Sequence, residues 1–213
     1  MEQIEVFDDL YQFNTYHEHI NLSFNQYLLL GAEPMLIHTG NSAHVIELLP
    51  KLKGILGTQP LVYIFVSHFE GDECGGLEFI MKHFPQAKII CSEVTARQLQ
   101  GFGFKYLTLI KKPGDVFETA DYNLKFIGYP SEMHLWEGLL ALENSRGLLF
   151  SSDLFIRMGK LDEAIVSSLW EEEVQGITPS QIPSSTAMKA LQQELLGQSV
   201  NYIIPGHGPV LKV

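Results

Sequence analysis

The chain changes abruptly at residue 67, from an apolar run to a loop crowded with side chains that bind metals. Residues 61–66 are all apolar and follow Pro60, which predicts a buried strand. Glycines at 71, 75 and 76 let the chain turn tightly after that strand, so its side chains can converge on one point. Four potential ligands fall within the six residues 68–73: His68, Glu70, Asp72 and Glu73.

Three further candidate ligands also follow apolar runs. His134 comes after residues 124–129, Asp153 after residues 148–150, and His207 after residues 202–204. Loops gather where strands end, so the pattern predicts a polynuclear metal site assembled from several strands. Taken alone, residues 67–76, called the acidic loop below, would fit a solvated turn equally well. The three later candidate ligands favour the metal site.

Composition limits the class of protein. With 213 residues, 46% of them hydrophobic and 18% charged, the chain is expected to form one domain, residues 1–213, with a large core. The net charge of -11 and the lack of a Lys/Arg run argue against nucleic-acid binding. The two cysteines indicate no disulfide framework. With no signal peptide and no apolar run long enough for a bilayer, we expect a soluble, cytoplasmic protein that does not bind membranes.

Helices and strands alternate along the first half of the sequence, and short strands dominate its middle. Residues 24–30 and 35–39 predict a hairpin, and residues 42–56 predict a helix with Ser42 as its N-cap. The remaining predictions are helices at 76–83, 92–100, 162–174 and 184–197, a strand at 87–91, short strands between 106 and 150, and a last strand at 202–204. Such an order favours an α/β protein in which two sheets pack face to face under helices.

The ordered ligand set resembles that of the metallo-β-lactamase superfamily, which folds as an αββα sandwich. Superfamily members carry His-x-His-x-Asp-His followed by His, Asp and His. Glu70 in place of the second histidine is similar to the flavodiiron proteins and the related oxygen-binding diiron proteins. The resemblance extends from residue 25 to residue 207.

This resemblance implies two metal ions and a role for each candidate residue. The first metal is expected to bind His68, Glu70 and His134, the second to bind Asp72 and His207, and Asp153 to bridge them. A ligand set rich in carboxylates makes iron the first expectation, then manganese, then zinc.

Two positions depart from the family pattern. Glu73 stands where the family has histidine, so its carboxylate binds the second metal or leaves that position to water. His38 stands where the superfamily usually has aspartate, which changes the hydrogen bonding around the site. His17 and His19 are expected to line the mouth of the site.

The resemblance implies a domain that binds or reduces dioxygen or nitric oxide. The sequence ends six residues after His207, so we expect no flavodoxin domain and no FMN in this chain, and electrons would come from a partner protein. The resemblance leaves open whether the domain acts as a sensor fused to a signalling domain. It also leaves open whether the chain forms a homodimer. One alternative is hydrolysis of an ester, thioester or lactone through a metal-bound hydroxide, which residues 205–209 favour and Glu70 disfavours. A second is a partner-binding module that keeps its metal for stability.

Overall fold

The computed structural model describes residues 1–130 and 138–213, so His134 lies outside the described residues. Two seven-stranded sheets pack face to face, and helices cover both outer faces. The predicted αββα sandwich is therefore confirmed. Within the described residues, no helix has both the length and the apolar character needed to cross a bilayer.

The first sheet has the strand order β1-β2-β3-β4-β5-β6-β7. The three pairs from β1 to β4 are antiparallel, and the three pairs from β4 to β7 are parallel. Parallel neighbours need crossover connections, which the intervening helices supply. The strands are β1 (Glu2–Phe7), β2 (Leu10–His17), β3 (Leu22–Leu29), β4 (Met35–Ile37), β5 (Tyr63–Phe65), β6 (Lys88–Ser92) and β7 (Thr108–Lys111).

The second sheet has the order β12-β14-β13-β11-β10-β9-β8. Strands β8 to β11 form an antiparallel meander, and β13 joins β11 in parallel. The strands are β8 (Val116–Glu118), β9 (Asn123–Tyr129), β10 (Gly138–Glu143), β11 (Leu148–Ser152), β12 (Ile165–Ser167), β13 (Tyr202–Pro205) and β14 (Val210–Lys212).

Six helices complete the described part of the chain. One apolar cluster joins α1, α3 and α4 to the first sheet, and another joins α5 and α6 to the second. The short helix α2 lies within the acidic loop. The helices are α1 (His44–Leu56), α2 (Gly71–Cys74), α3 (Leu77–His83), α4 (Glu93–Gly101), α5 (Trp170–Gln175) and α6 (Ser185–Leu196).

The core between the sheets is built on aromatic side chains from both layers. Tyr27 and Phe65 of the first sheet belong to the same buried cluster as Phe126 and Phe150 of the second. Truncating one such ring to alanine costs about 3–5 kcal/mol, because a cavity remains where the ring was. The packing therefore holds the ends of β5 and β11 in a defined relation across the sandwich.

Three local predictions needed correction. Helix α1 is not capped by Ser42, because the Asn41 side chain accepts hydrogen bonds from the backbone N–H groups of Ala43 and His44, each at 2.9 Å. Residues 162–174 do not form one helix, since β12 pairs with β14 there and the helix begins only at Trp170. Strands β1 and β2 were not predicted. The hairpin of β3 and β4 is confirmed.

Candidate metal centre

Six of the seven predicted ligands meet at one end of the sandwich. The acidic loop follows β5 of the first sheet, whereas Asp153 and His207 follow β11 and β13 of the second. Since β11 and β13 are parallel neighbours, the loops that follow them leave the sheet at the same end of the strands. The packing of the two sheets brings these loops against the acidic loop.

Asp153 lies between two histidines. Its Oδ2 is 3.3 Å from Nε2 of His68, and its Oδ1 is 3.2 Å from Nε2 of His207. Burial disfavours ionisation of this carboxyl, but the two histidines outweigh burial and hold its pKa well below the usual range. One carboxylate thus directs each of its oxygens to a different imidazole.

A further carboxylate accompanies each histidine. Oε2 of Glu70 lies 3.0 Å from Nε2 of His68, and Oδ2 of Asp72 lies 3.4 Å from Nε2 of His207. For both histidines burial alone would lower the pKa, yet hydrogen bonding to carboxylates, first of all Asp153, raises it. The arrangement has two halves, each with one imidazole and one carboxylate of its own, joined by Asp153.

Glu73 is the least solvated carboxylate of the cluster. It is 2% exposed, and its Oε2 has no hydrogen-bond partner. A carboxylate oxygen of Glu73 lies within 4.8 Å of one ligand atom each of His68 and Glu70, and likewise within 4.8 Å of one ligand atom each of Asp72 and His207. Burial and the neighbouring charge of Asp153 raise its pKa well above the ordinary value. The carboxyl is therefore within reach of both halves.

Backbone and hydroxyl groups hold the two imidazoles in place. Nδ1 of His207 is 2.9 Å from the backbone carbonyl of Ser23, so it carries the ring proton and donates it there. This hydrogen bond leaves Nε2 unprotonated and directed at the carboxylates when the ring is neutral. The partner that orients His207 is a main-chain atom, and no side-chain pattern in the sequence predicts it.

His68 is oriented by a chain of hydroxyl groups. Its Nδ1 is 3.1 Å from Oγ of Ser67 and 3.3 Å from Oγ of Ser152, and the two hydroxyls are 2.7 Å apart. Nε2 of His38 lies 2.9 Å from Oγ of Ser67. When His68 keeps its proton on Nδ1, both hydroxyl protons find acceptors only if Ser152 donates to Ser67 and Ser67 donates to His38.

His38 is consequently a neutral acceptor at the end of this chain. Burial, followed by the nearby charge of His68, lowers its pKa to about 3. His38 and Ser152 both adopt left-handed backbone conformations, with φ of 62° and 51°. Such conformations cost non-glycine residues about 1 kcal/mol or more and are held by their surroundings. Sequence reasoning identified His38 as a departure from the family pattern but missed Ser67 and Ser152, whose only signal is adjacency to predicted ligands.

His17 is linked to the centre through an aromatic contact. Its Nε2 is 2.7 Å from Nε2 of His44, and both rings contact Phe24. Phe24 in turn meets His207 edge to face, with ring centroids 4.9 Å apart. His19 is exposed in a short 3-10 helix, Glu18–Ile20, between β2 and β3. The two histidines therefore differ in their surroundings, and Phe24 contacts both His17 and His207.

The donor set fits divalent cations. Four carboxylates and two histidines crowd one place, where every side chain except that of Glu70, 60% exposed, is buried or partly buried. Among the described residues no Lys or Arg forms an ion pair with these carboxylates. Oε2 of Glu73 is buried without a hydrogen-bond partner, and Oδ1 of Asp153 has only the Nε2 atom of His207 beside it, at 3.2 Å and outside ideal hydrogen-bond geometry. Buried anions without a counter-charge are costly, and metal ions would supply that charge.

Comparisons with known proteins agree with the fold. The chain is 30% identical over 142 residues to the coenzyme F420H2 oxidase of Methanothermobacter marburgensis, covering 62% of this chain and 34% of that protein. It is 28% identical over 141 residues to the nitric oxide reductase of Moorella thermoacetica, covering 64% of this chain and 35% of the relative. This chain spans about a third of the length of these two relatives.

A solved structure, the flavodiiron protein from Giardia intestinalis, superimposes with a TM-score of 0.81 at 18% identity, covering 100% of this chain and 56% of the other. This likeness shows the fold, and the sequence relatives together with a family model confirm the resemblance to the metallo-β-lactamase superfamily and its flavodiiron branch. A family model described as ODP family beta lactamase matches residues 22–208, which include every described residue of the cluster. The chain belongs to the ODP family beta lactamases.

Proposed function

We propose that this chain is a dinuclear non-haem iron domain that binds or reduces dioxygen or nitric oxide. The observation that carries the proposal is the position of Asp153, whose two oxygens each lie within 3.3 Å of a different histidine. A single carboxylate with an imidazole on either side is suited to bridge two cations and to screen their mutual repulsion.

Each half of the cluster would hold one ion. His68 and Glu70 would bind the first, together with His134, which remains a prediction from the sequence alone. Asp72 and His207 would bind the second. Glu73 would complete either half, because its carboxyl is within reach of both.

Donor chemistry favours iron. Carboxylate oxygens outnumber imidazole nitrogens, and such a shell suits iron or manganese better than zinc. Ferrous iron held by these residues would supply the electrons for reaction with a diatomic gas. The chain's own residues orient the ligands: the Ser23 carbonyl fixes the ring of His207, and the Ser67 hydroxyl fixes that of His68.

The names of the relatives support the choice of substrate. One is named an oxidase of coenzyme F420H2 and another a nitric oxide reductase. Two ferrous ions supply two electrons, whereas reduction of dioxygen to water takes four, so continuous turnover requires an electron donor. The same centre without a donor would serve as a gas sensor.

The test is a single-turnover reaction. The metal-free chain is loaded anaerobically with ferrous iron and mixed in a stopped-flow instrument with dioxygen or nitric oxide, while the absorption spectrum is followed. We expect a new absorption band whose intensity corresponds to one reacted centre per protein chain. Gas should be consumed continuously only when a reductant is added. Asp153→Asn should abolish the band. The control is Asp115→Asn, which should keep the band. The Asp115 carboxylate lies outside the cluster and accepts a hydrogen bond from the Lys112 N–H.

A specific result would reject the proposal. If the ferrous protein is inert to both gases while its zinc form rapidly hydrolyses a thioester or lactone, the centre is that of a hydrolase.

A further inference from the structure

Residues 88–112, which form β6, α4 and β7, differ in charge from the rest of the molecule. They contain five Lys or Arg residues and one acidic residue, whereas the whole chain has a net charge of -11. A basic surface on an acidic protein attracts acidic partners, which the rest of the molecule repels, and so steers them to one place.

Strand β7 lies at the edge of the first sheet. Among the described residues its only strand neighbour is β6. The Leu107 carbonyl accepts a hydrogen bond from the Ile89 N–H, so backbone groups at odd positions face β6. Backbone direction alternates along a strand, and the N–H and C=O groups of Thr108 and Ile110 therefore point to the open edge. Another extended chain can pair with them.

A groove of about 540 Å³ runs between α4 and β7 beside this open edge. Its walls are largely apolar, and Ile110 is 46% exposed within it. Leu107, next to the groove, is 60% exposed. The apolar side chains that line it are Ile89, Ala96, Leu99, Phe104, Tyr106 and Ile110. An added strand would place alternate side chains on this surface.

The charges at the groove favour an acidic occupant. Arg97 is neutralised by Glu93 at 2.5 Å, but Lys105 lines the groove and forms no ion pair within the described parts of the chain. Lys112 is exposed just beyond the other end of β7. Lysines commonly protect edge strands, yet the two residues whose backbone faces outward here, Thr108 and Ile110, are uncharged.

We propose that the groove between α4 and β7 docks an extended acidic segment of a partner protein, which adds a strand to β7. Acidic side chains at the two ends of that segment would contact Lys105 and Lys112, and an apolar side chain would contact Ile110. A second copy of this chain fits less well, because pairing β7 with β7 would bring the lysines of both copies together. The proposal does not depend on the metal chemistry.

The groove is also connected to the acidic loop. Phe102, 75% exposed at the end of α4, packs against Phe69 with ring centroids 5.0 Å apart and the rings tilted by 32°. Phe69 lies between His68 and Glu70 in the sequence. A partner bound along β7 would therefore sit beside the segment that carries two proposed metal ligands.

The experiment uses defined peptides as probes. A fluorescent peptide of alternating isoleucine and glutamate is titrated with the full chain, and a peptide with lysine in place of glutamate is the control. We expect the acidic peptide to bind at least about tenfold more tightly than the basic one, and its affinity to fall as salt screens the lysines. Hydrogen exchange at the Thr108 and Ile110 amides should slow when the acidic peptide is bound.

Variants separate charge from strand pairing. Lys105→Glu combined with Lys112→Glu should weaken binding about tenfold or more, while Lys189→Glu on α6 should leave it within about twofold. Thr108→Pro removes an outward N–H without touching the ladder to β6 and should also weaken binding. If that variant misfolds, the charge variants and the exchange data still decide.

Three results would overturn the proposal. They are equal binding of the acidic and basic peptides, no binding of either at about 1 mM peptide, and a concentration-dependent dimer of the chain that Lys105→Glu disrupts.

Discussion

Glu73 should destabilise the metal-free protein and stabilise the metal-bound one. In the metal-free fold its carboxyl is buried, and its pKa lies well above the ordinary value of 4.5. Between those two pKa values the folded state binds more protons than the unfolded state. The free energy of unfolding therefore falls as pH rises through this window, by up to about 1.4 kcal/mol per pH unit.

Glu73→Gln removes this pH-dependent penalty while keeping the shape of the side chain. The metal-free variant should gain stability over the wild type, and the gain should grow as pH rises above 4.5, through the range in which the folded wild type still holds the Glu73 proton. With metal present the variant should be less stable than the wild type, because a neutral amide is a poorer ligand than a carboxylate. The variant should then bind manganese or zinc more weakly and gain less stability from it.

Glu143→Gln is the matched control. Glu143 is fully buried like Glu73, but its carboxylate accepts hydrogen bonds from the Ser145 hydroxyl at 2.6 Å and from the Arg146 N–H at 3.0 Å. These hydrogen bonds outweigh burial and lower its pKa. Replacing it should destabilise the protein by about 1–3 kcal/mol with or without metal.

The assay is urea unfolding followed by circular dichroism, at pH 5 and pH 6, in chelator and in excess manganese or zinc. Metal affinity is measured separately by titration. The reasoning is refuted if Glu73→Gln destabilises the metal-free protein as much as Glu143→Gln does, or if its stability has the same pH dependence as the wild type.

Three further predictions concern the centre and its neighbours. Asp153→Asn should lose most of both ions by elemental analysis, since the two oxygens of Asp153 each lie within 3.3 Å of a different histidine; two retained ions would assign the bridge elsewhere. Metal uptake should release protons and tighten as pH rises, because carboxylates raise the pKa of His68 and His207 and the metals bind their neutral forms. Calorimetry in buffers of different ionisation enthalpy would detect this release, and its absence would contradict the predicted ligands. Burial lowers the pKa of His44 to about 4, so stability should fall as pH drops below 6.5, and His44→Gln should weaken that dependence in acid-unfolding curves.

Much of the fold was predictable because its signals are local. The apolar run before His68, the turn residues of the β3–β4 hairpin and the cap of α4 at Ser92 each act within a few residues. The predicted helix at residues 162–174 was wrong, because part of that segment forms β12, which pairs with the distant strand β14. Strand pairing between distant segments leaves little trace in local periodicity.

The sequence by itself determined which chemistry is available: carboxylates and imidazoles at the ends of strands, in an order typical of one family. Ligand type and spacing are properties of short segments, so they can be recognised from the amino-acid sequence. Only the tertiary structure decided that Asp153 reaches both His68 and His207, and that Glu73 is buried between the two halves. It also decided that β7 remains an open edge beside a groove. These properties arise from how two sheets pack and where each one stops, and the interactions that set them join residues far apart in the chain.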